Sequence, residues 1–262
     1  MEEQALWSGH RPPRSWTLTS RERGTRCPDC PGATSLLDAL PGGRLACPFY
    51  SCALVARATV PADLLAGSGL TLVRRGIIVK ELVDATGRAT VIDVVGPGSA
   101  LAFAHRPGVT AFAAGPALLC ACPTARLEEG LAGPDGAGLA RELLWLQQAA
   151  LARMERLADA RGRPTVGERV AALLCALADG LSAPRKLDLL PGDLRQRELG
   201  ALLAIRHESV CRELRRLERV GVVRRTSEGL ELVDRAALEG GGAREDLPPQ
   251  SSRSEREACS RS

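Results

Sequence analysis

The stretch from Asp193 to Val233 changes its hydrophobic period from helical to strand-like. Two apolar stripes at helical spacing predict a pair of short helices, with core positions at Leu199, Leu202, Leu203, Val210, Leu214 and Leu217. The segment 204–206 between the stripes predicts a turn, and Gly221 predicts the end of the second helix. Two short strands around residues 227–229 then predict a β-hairpin.

The second predicted helix carries a polar row opposite its apolar stripe. This row is formed by Glu208, Arg212, Arg215 and Arg216. Between residues 193 and 225 there are nine arginines against five acidic residues, which suits a surface that faces phosphates. Two helices followed by a basic hairpin are the parts of a winged helix-turn-helix, in which arginine can bind a guanine edge and glutamate can accept from cytosine. Amphipathic helices with a solvated charged face would explain each helix on its own. They would not explain the ordered series of helix, turn, Arg-rich helix and basic hairpin.

Residues 54–123 have the pattern of an all-β unit. Strand-like runs at 70–83, broken at Gly76, and at 90–95 are separated by turns at 84–88 and 96–98.

A long helix is predicted from Leu139 to Ala160. Heptad spacing predicts a parallel dimer seam made of Leu139, Leu143, Leu146, Ala150 and Leu157. The alternative is a helix packed on its own domain, and we expect Leu144, Trp145 and Leu151 to pack there. Arg153 interrupts the predicted seam and would approach its own copy across a two-fold axis.

Four cysteines lie within 26 residues and predict a metal site. Their spacing is C-x2-C-x16-C-x4-C, formed by Cys27, Cys30, Cys47 and Cys52. Four thiolates in two close pairs can bind a tetrahedral zinc ion or an iron–sulfur cluster, and the pattern leaves the metal open.

The run from Arg197 to Val223 resembles the CRP/FNR family of bacterial transcription regulators. The base-reading pattern of that family, Glu-x-x-Ser/Gly-Arg, is matched by Glu208 and Arg212, whereas Cys211 replaces the small residue. Gly200 and Ala204 stand where the family more often has alanine and glycine. The resemblance implies DNA contacts by residues of the second helix and its preceding turn, namely Arg206, His207, Glu208, Ser209, Arg212, Arg215 and Arg216. It also implies a dimer on a palindromic operator with a TGA/TCA-type core, and it leaves open whether RNA polymerase is a further partner.

The β unit is similar to the sensor β-roll of the same family, in which a Leu-Val-Arg-x-Gly strand, a hairpin and a Gly-Pro-Gly turn occur in this order. The run 98–111 lacks the acidic residue and the arginine position that a cyclic-nucleotide pocket needs, so we expect no cyclic nucleotide. The resemblance to the oxygen-sensing FNR branch implies that Cys120 is the fourth ligand of an iron–sulfur cluster, most simply 4Fe-4S, together with Cys27, Cys30 and either Cys47 or Cys52. The alternative is a zinc-ribbon regulator or interaction protein in which Cys27, Cys30, Cys47 and Cys52 bind a purely structural zinc ion, and His105 leaves a haem-based sensor as a second one.

Composition sets the remaining limits. The net charge of +4 over 262 residues is mild, so any affinity for nucleic acid must be local. No run approaches 18 apolar residues, and no signal-peptide core occurs at the N-terminus, so we expect a cytoplasmic protein without membrane association. Nine cysteines in that compartment are not expected to form structural disulfides. No phosphate loop, catalytic triad or carboxylate pair suggests an enzyme.

Together these patterns predict an α+β chain in six parts. They are a disordered arm (1–25), a cysteine-rich metal-binding segment (26–53), a β-roll sensor domain (54–136), a dimerisation helix (137–162), a winged helix-turn-helix (163–238) and a disordered tail (239–262).

Overall fold

The computed structural model describes residues 18–19, 40, 49–66, 68–102, 108–181 and 188–240. Most of the predicted arm and tail lies outside these ranges, as do Cys27, Cys30, Cys47 and His105. Within the described ranges, no helix combines the length and the apolar character that a membrane crossing requires.

Two antiparallel sheets form the N-terminal half of the described chain. The first has the strand order β1-β2-β8-β3-β6, with β1 at Leu18–Thr19, β2 at Tyr50–Leu54, β3 at Ser68–Arg75, β6 at Ala100–Ala102 and β8 at Ala117–Pro123. The second has the order β5-β4-β7, with β4 at Ile78–Val83, β5 at Ala89–Val95 and β7 at Val109–Ala113. A short helix, α1, spans Ala62–Ala66.

The predicted break between β3 and β4 is confirmed at Gly76. Its φ is 77°, and a Cβ there would lie 2.4 Å from the Pro116 carbonyl oxygen. Only glycine combines that backbone conformation with so close an approach.

The C-terminal half is helical and ends in a three-stranded sheet. Its helices are α2 (Thr124–Ala132), α3 (Gly136–Gly162), α4 (Val166–Leu181), α5 (Gln196–Leu203), α6 (His207–Arg219) and α7 (Arg235–Glu239). The sheet has the order β10-β11-β9, with β9 at Leu189–Pro191, β10 at Val223–Arg225 and β11 at Gly229–Leu232. The predicted α+β fold class, the helix pair and the basic hairpin are therefore confirmed.

Three apolar clusters hold these elements together. The roll core lies between the two sheets and includes Cys52, Val73, Ile78 and Leu119. The second cluster lies on the opposite face of the first sheet, where Leu70, Leu72 and Cys122 meet residues of α2 and α3. The third is the largest and joins residues of the second sheet, including Val79 and Val91, to α3, α4, α5, α6 and the C-terminal sheet.

The predicted dimer seam of α3 faces its own chain instead. Leu139, Leu146 and Leu157 are 0%, 8% and 2% exposed and belong to the apolar clusters, Leu143 packs against the same surface, and Ala150 is half-buried. The residues that we expected to pack on the domain are the exposed ones, since Leu144, Trp145 and Leu151 are 60%, 61% and 57% exposed. Both assignments were wrong because α3 has two apolar stripes, and periodicity does not tell which of them meets the roll.

Arg153 does not approach an exposed seam either. It is buried, and its Nε and Nη2 each donate to a different carboxylate oxygen of Asp93 on β5, both at 2.9 Å. Lys80 on β4 is the cross-strand partner of Asp93. Burial lowers the pKa of Lys80, an effect that nearby Asp93 opposes and Arg153 reinforces. The arginine thus joins α3 to the second sheet rather than repelling a second copy.

Candidate nucleic-acid interface

The helices α5 and α6 are held together by the apolar stripes that the sequence predicts. Leu199, Leu202 and Leu203 of α5 and Val210, Leu214 and Leu217 of α6 are all buried in the third cluster, with α4 beneath them. This packing leaves the opposite face of α6 toward solvent.

The turn between α5 and α6 is tight. Ala204 ends α5 in the left-handed conformation, with φ 54° and ψ 37°. The Ile205 amide donates to the Gly200 carbonyl at 3.0 Å. A Cβ on Gly200 would lie 3.0 Å from the Ile205 carbonyl oxygen and 3.2 Å from Cα of His207. The small residue therefore sits where the two helices come closest.

Most of the predicted DNA-contacting residues share the solvent-facing side of α6 and its first turn. The exposed members are Arg206, His207, Glu208, Arg212 and Arg215, and Ser209 is half-buried among them. An Arg212 nitrogen lies 3.5 Å from the Ser209 hydroxyl oxygen, and His207 Nδ1 lies 3.4 Å from a Glu208 carboxylate oxygen. Glu208 and Arg212 are one helical turn apart, so both side chains can reach neighbouring positions on one surface.

Arg216 lies apart from this group. Its guanidinium is half-buried and donates to Glu213 at 2.6 Å and 2.9 Å. Both side chains lie against Gly167 at the beginning of α4. Arg216 therefore holds α6 against α4 in this arrangement.

The hairpin adds basic residues that the predicted contact set leaves out. Arg224 and Arg225 of β10 are exposed, although each donates to a carboxylate, Glu231 and Glu218 respectively. The signal that could have included them is the Arg-Arg pair directly after the buried Val222 and Val223. The same hairpin binds back onto α6 through the ion pair between Arg225 and Glu218.

The described candidate metal ligands lie on opposite faces of the first sheet. Cys52 on β2 is 1% exposed and belongs to the roll core. Cys120 on β8 is paired with Ser51, the neighbour of Cys52, and packs against the second cluster toward α2 and α3. No group of three or more cysteine, histidine or acidic side chains is gathered within the described ranges. Any four-thiolate site must therefore draw on cysteines outside them.

Two further cysteines lie in the helical C-terminal half. Cys175 on α4 is buried, and burial raises the pKa of its thiol to about 11. Cys211 on α6 is half-buried, and its thiol donates to the side-chain oxygen of Gln196 at the beginning of α5. This contact explains how cysteine replaces the smaller family residue: its side chain spans the two helices.

A family of known domains matches this part of the chain. Residues 168–240 match the Crp-like helix-turn-helix domain, a stretch that includes α5, α6 and the hairpin. The chain has the fold of the CRP/FNR regulators. FixK2 from Bradyrhizobium japonicum aligns with a TM-score of 0.59 at 20% identity, covering 74% of this chain and 98% of FixK2.

Other CRP/FNR-type structures align over similar lengths. A cyclic nucleotide-binding domain containing protein from Listeria monocytogenes aligns with a TM-score of 0.59 at 16% identity, covering 77% of this chain and 96% of that one. A CRP-family transcriptional regulator from Thermus thermophilus aligns with a TM-score of 0.52 at 22% identity, covering 72% and 95%. No curated protein matches the sequence.

Proposed function

We propose that this protein is a sequence-specific DNA-binding transcription regulator that acts as a homodimer and reads its operator through α6. The observation that carries the proposal is the exposed polar face of α6, which presents Arg206, Glu208, Arg212 and Arg215 while the opposite face is buried. The match of residues 168–240 to the Crp-like helix-turn-helix domain supports it. A regulator of this kind needs no catalytic group.

Arg212 and Glu208 are the proposed base readers. An arginine can bind O6 and N7 of guanine through two hydrogen bonds, and a glutamate can accept from N4 of cytosine. Arg206, Arg215, Arg224 and Arg225 are also exposed and suit contacts with phosphates. Arg216 is better explained as a residue that holds α6 in place, because it is half-buried and its ion pair with Glu213 lies against Gly167 of α4.

The experiment begins with operator selection from random duplexes by the wild-type protein, followed by fluorescence anisotropy. Arg212→Ala should weaken binding to the selected palindrome by about 1–3 kcal/mol and relax the preference at one guanine per half-site. Arg126→Ala is the matched control, since it removes one exposed arginine from α2, outside the interface. If Arg212→Ala keeps the wild-type ratio between selected and scrambled duplexes, Arg212 does not read bases.

We also propose that the dimer forms through the exposed stripe of α3. Leu144, Leu151 and Met154 follow one another at spacings of seven and three residues, and Trp145 lies beside them. Each is at least 49% exposed, on a helix whose other apolar stripe is already buried. Heptad spacing with large apolar residues is the pattern of a two-helix seam. A second copy of this helix would cover the stripe.

The cysteine-rich segment supports a thiolate-bound metal, and the described cysteines bear on its ligands. Cys52 lies in the roll core, whereas Cys120 faces the other side of the sheet. A cluster that includes Cys120 would therefore take Cys47 rather than Cys52, with Cys27 and Cys30. A zinc site would instead need Cys52 to turn out of the roll core. We therefore favour an iron–sulfur cluster as the controlling group, which when bound would supply sensitivity to oxygen or redox state.

Anaerobic purification with metal analysis and an absorption spectrum separates these alternatives. For the cluster, Cys120→Ser should lose iron and visible absorption, while Cys52→Ser keeps both. For zinc, the protein should be colourless and Cys52→Ser should lose the metal, while Cys120→Ser retains it. A Soret band would indicate haem instead. Metal content that neither variant changes would contradict both ligand sets.

Control of DNA binding by this metal is a separate measurement. Operator binding by the anaerobic protein should weaken after exposure to air if the metal is a redox-labile switch. Cys30→Ser should bind weakly before and after exposure. Equal affinity in all four samples would mean that the cysteines do not control DNA binding.

A further inference from the structure

One ion pair joins the β-roll to the first helix of the helix-turn-helix. Nη1 of Arg57 donates to Oε1 of Glu198 on α5 at 2.8 Å, across 141 positions of sequence. Glu198 is 3% exposed, and its Oε2 accepts from the Arg195 backbone amide at 2.8 Å. A single carboxylate therefore binds both the roll and the start of α5.

The roll holds Arg57 in a constrained position. Its φ is 67°, in the region that non-glycine residues rarely adopt, and its amide donates to the Ala113 carbonyl at 2.8 Å. The guanidinium carbon lies 5.6 Å from the ring centroid of Phe112 on β7. Nε of Arg57 is buried and finds no hydrogen-bond acceptor in the described part of the chain. A strained backbone and an unsatisfied donor offset part of what the ion pair contributes to stability.

Two other contacts surround the pair at the same junction. The guanidinium of Arg161, near the end of α3, donates to the Leu202 carbonyl of α5 and, at 2.9 Å, to the Val91 carbonyl of β5. The Asp193 carboxylate lies against Gly115, where a Cβ would be 2.3 Å from Asp193 Cγ. All of these contacts hold α5 or the segment before it, and the exposed face of α6 takes no part in them.

From this geometry we infer that Arg57 and Glu198 are positioning residues for DNA binding. They hold α5, and with it the attached α6, at a defined place relative to the roll and to α3. In a dimer joined through α3, the position of α6 on each chain sets the distance between the two copies of α6. A dimer that already holds both helices at the operator spacing gains the second half-site contact without a further loss of freedom. The inference rests on the proposed function and adds the element that sets its geometry.

Two DNA duplexes separate positioning from a merely structural role. Arg57→Gln removes the charge and keeps a similar length, so affinity for the palindromic operator should fall by about tenfold or more as the avidity of the dimer is lost. Affinity for a duplex with a single half-site should not change, because one α6 is enough to bind it. Arg57→Lys should restore much of the affinity for the palindrome, since it restores the positive charge beside Glu198. Arg126→Gln, which breaks the exposed pair with Glu129, is the control.

A second measurement needs no DNA. Hydrogen exchange of the α5 amides should be faster in Arg57→Gln than in wild type, while the exchange of β3 and β8 stays the same. A parallel fall on palindrome and half-site, or wild-type binding together with wild-type exchange, would overturn the inference. If wild type shows no specific DNA binding, the proposed function fails. Faster exchange confined to α5 in Arg57→Gln would then still support the interdomain contact.

Discussion

The backbone of Ala204 is strained, because a residue with a Cβ adopts the left-handed conformation in a tight turn. An alanine at φ 54° brings its Cβ close to backbone atoms, which glycine avoids. We expect Ala204→Gly to raise the free energy of unfolding by about 0.5–1 kcal/mol, the relief of strain being partly offset by the greater freedom of glycine in the unfolded chain. Urea denaturation measures the change.

The neighbouring glycine provides the control for this prediction. Gly200→Ala should gain less than the about 1 kcal/mol by which alanine is usually favoured over glycine inside a helix, because the new Cβ would lie 3.0 Å from the Ile205 carbonyl oxygen. A lower stability of Ala204→Gly would contradict the assignment of strain to the turn.

Cys175 is expected to be chemically inert in the folded protein. With a pKa of about 11, roughly one thiol in a thousand is ionised at pH 8, and the thiolate is the form that reacts. Iodoacetamide followed by peptide mapping should leave Cys175 unmodified in native protein. In urea, where the burial is lost, Cys175 should react readily. Fast modification of Cys175 in native protein would mean that α4 opens much more often than its packing suggests.

At the scale of elements, α3 has one buried apolar stripe and one exposed apolar stripe. Leu151→Asp places a charge on the exposed stripe, so it should weaken the dimer and leave the fold of the monomer intact. Leu146→Asp places a charge in the second cluster, where burial of an unpaired carboxylate should destabilise the chain by about 3 kcal/mol or more. Sedimentation velocity and thermal unfolding of both variants measure the two effects.

One result for Leu151→Asp would contradict the proposed dimer interface. A Leu151→Asp protein that sediments as the wild-type dimer at the same concentration would place the dimer interface elsewhere.

The elements themselves were predictable from the sequence, and their partners were less so. The 3.6-residue spacing of Val210, Leu214 and Leu217 predicts both the helix and its buried face, because only one face of α6 is apolar. The same argument fails for α3, in which Leu146 and Leu151 belong to different apolar faces. Arg57 and Glu198 could not be paired from sequence at all, since nothing local to either residue marks a partner 141 positions away.

For the whole molecule, the roll and the helical C-terminal half share one apolar cluster. Val79 and Val91 of the second sheet pack in the same cluster as Leu174, Leu202 and Leu214. We therefore expect the described halves to unfold together, with calorimetric and van't Hoff enthalpies that agree. Two separate transitions in calorimetry would show that the shared cluster contributes little. The boundary at residue 163 between the dimerisation helix and the winged helix-turn-helix remains a prediction from the sequence.

The two apolar stripes of α3, one buried and one exposed, have a consequence for how such a regulator would respond to its own abundance. Because one apolar stripe already fixes the helix on its roll, a single chain can fold before it meets a second copy. Operator occupancy would then grow with the square of the protein level while most chains are still single, and only linearly once they are paired. A promoter under this control would switch on or off over a narrow range of expression, and mutations at Leu144 or Leu151 would move that threshold without changing the sequence that is read.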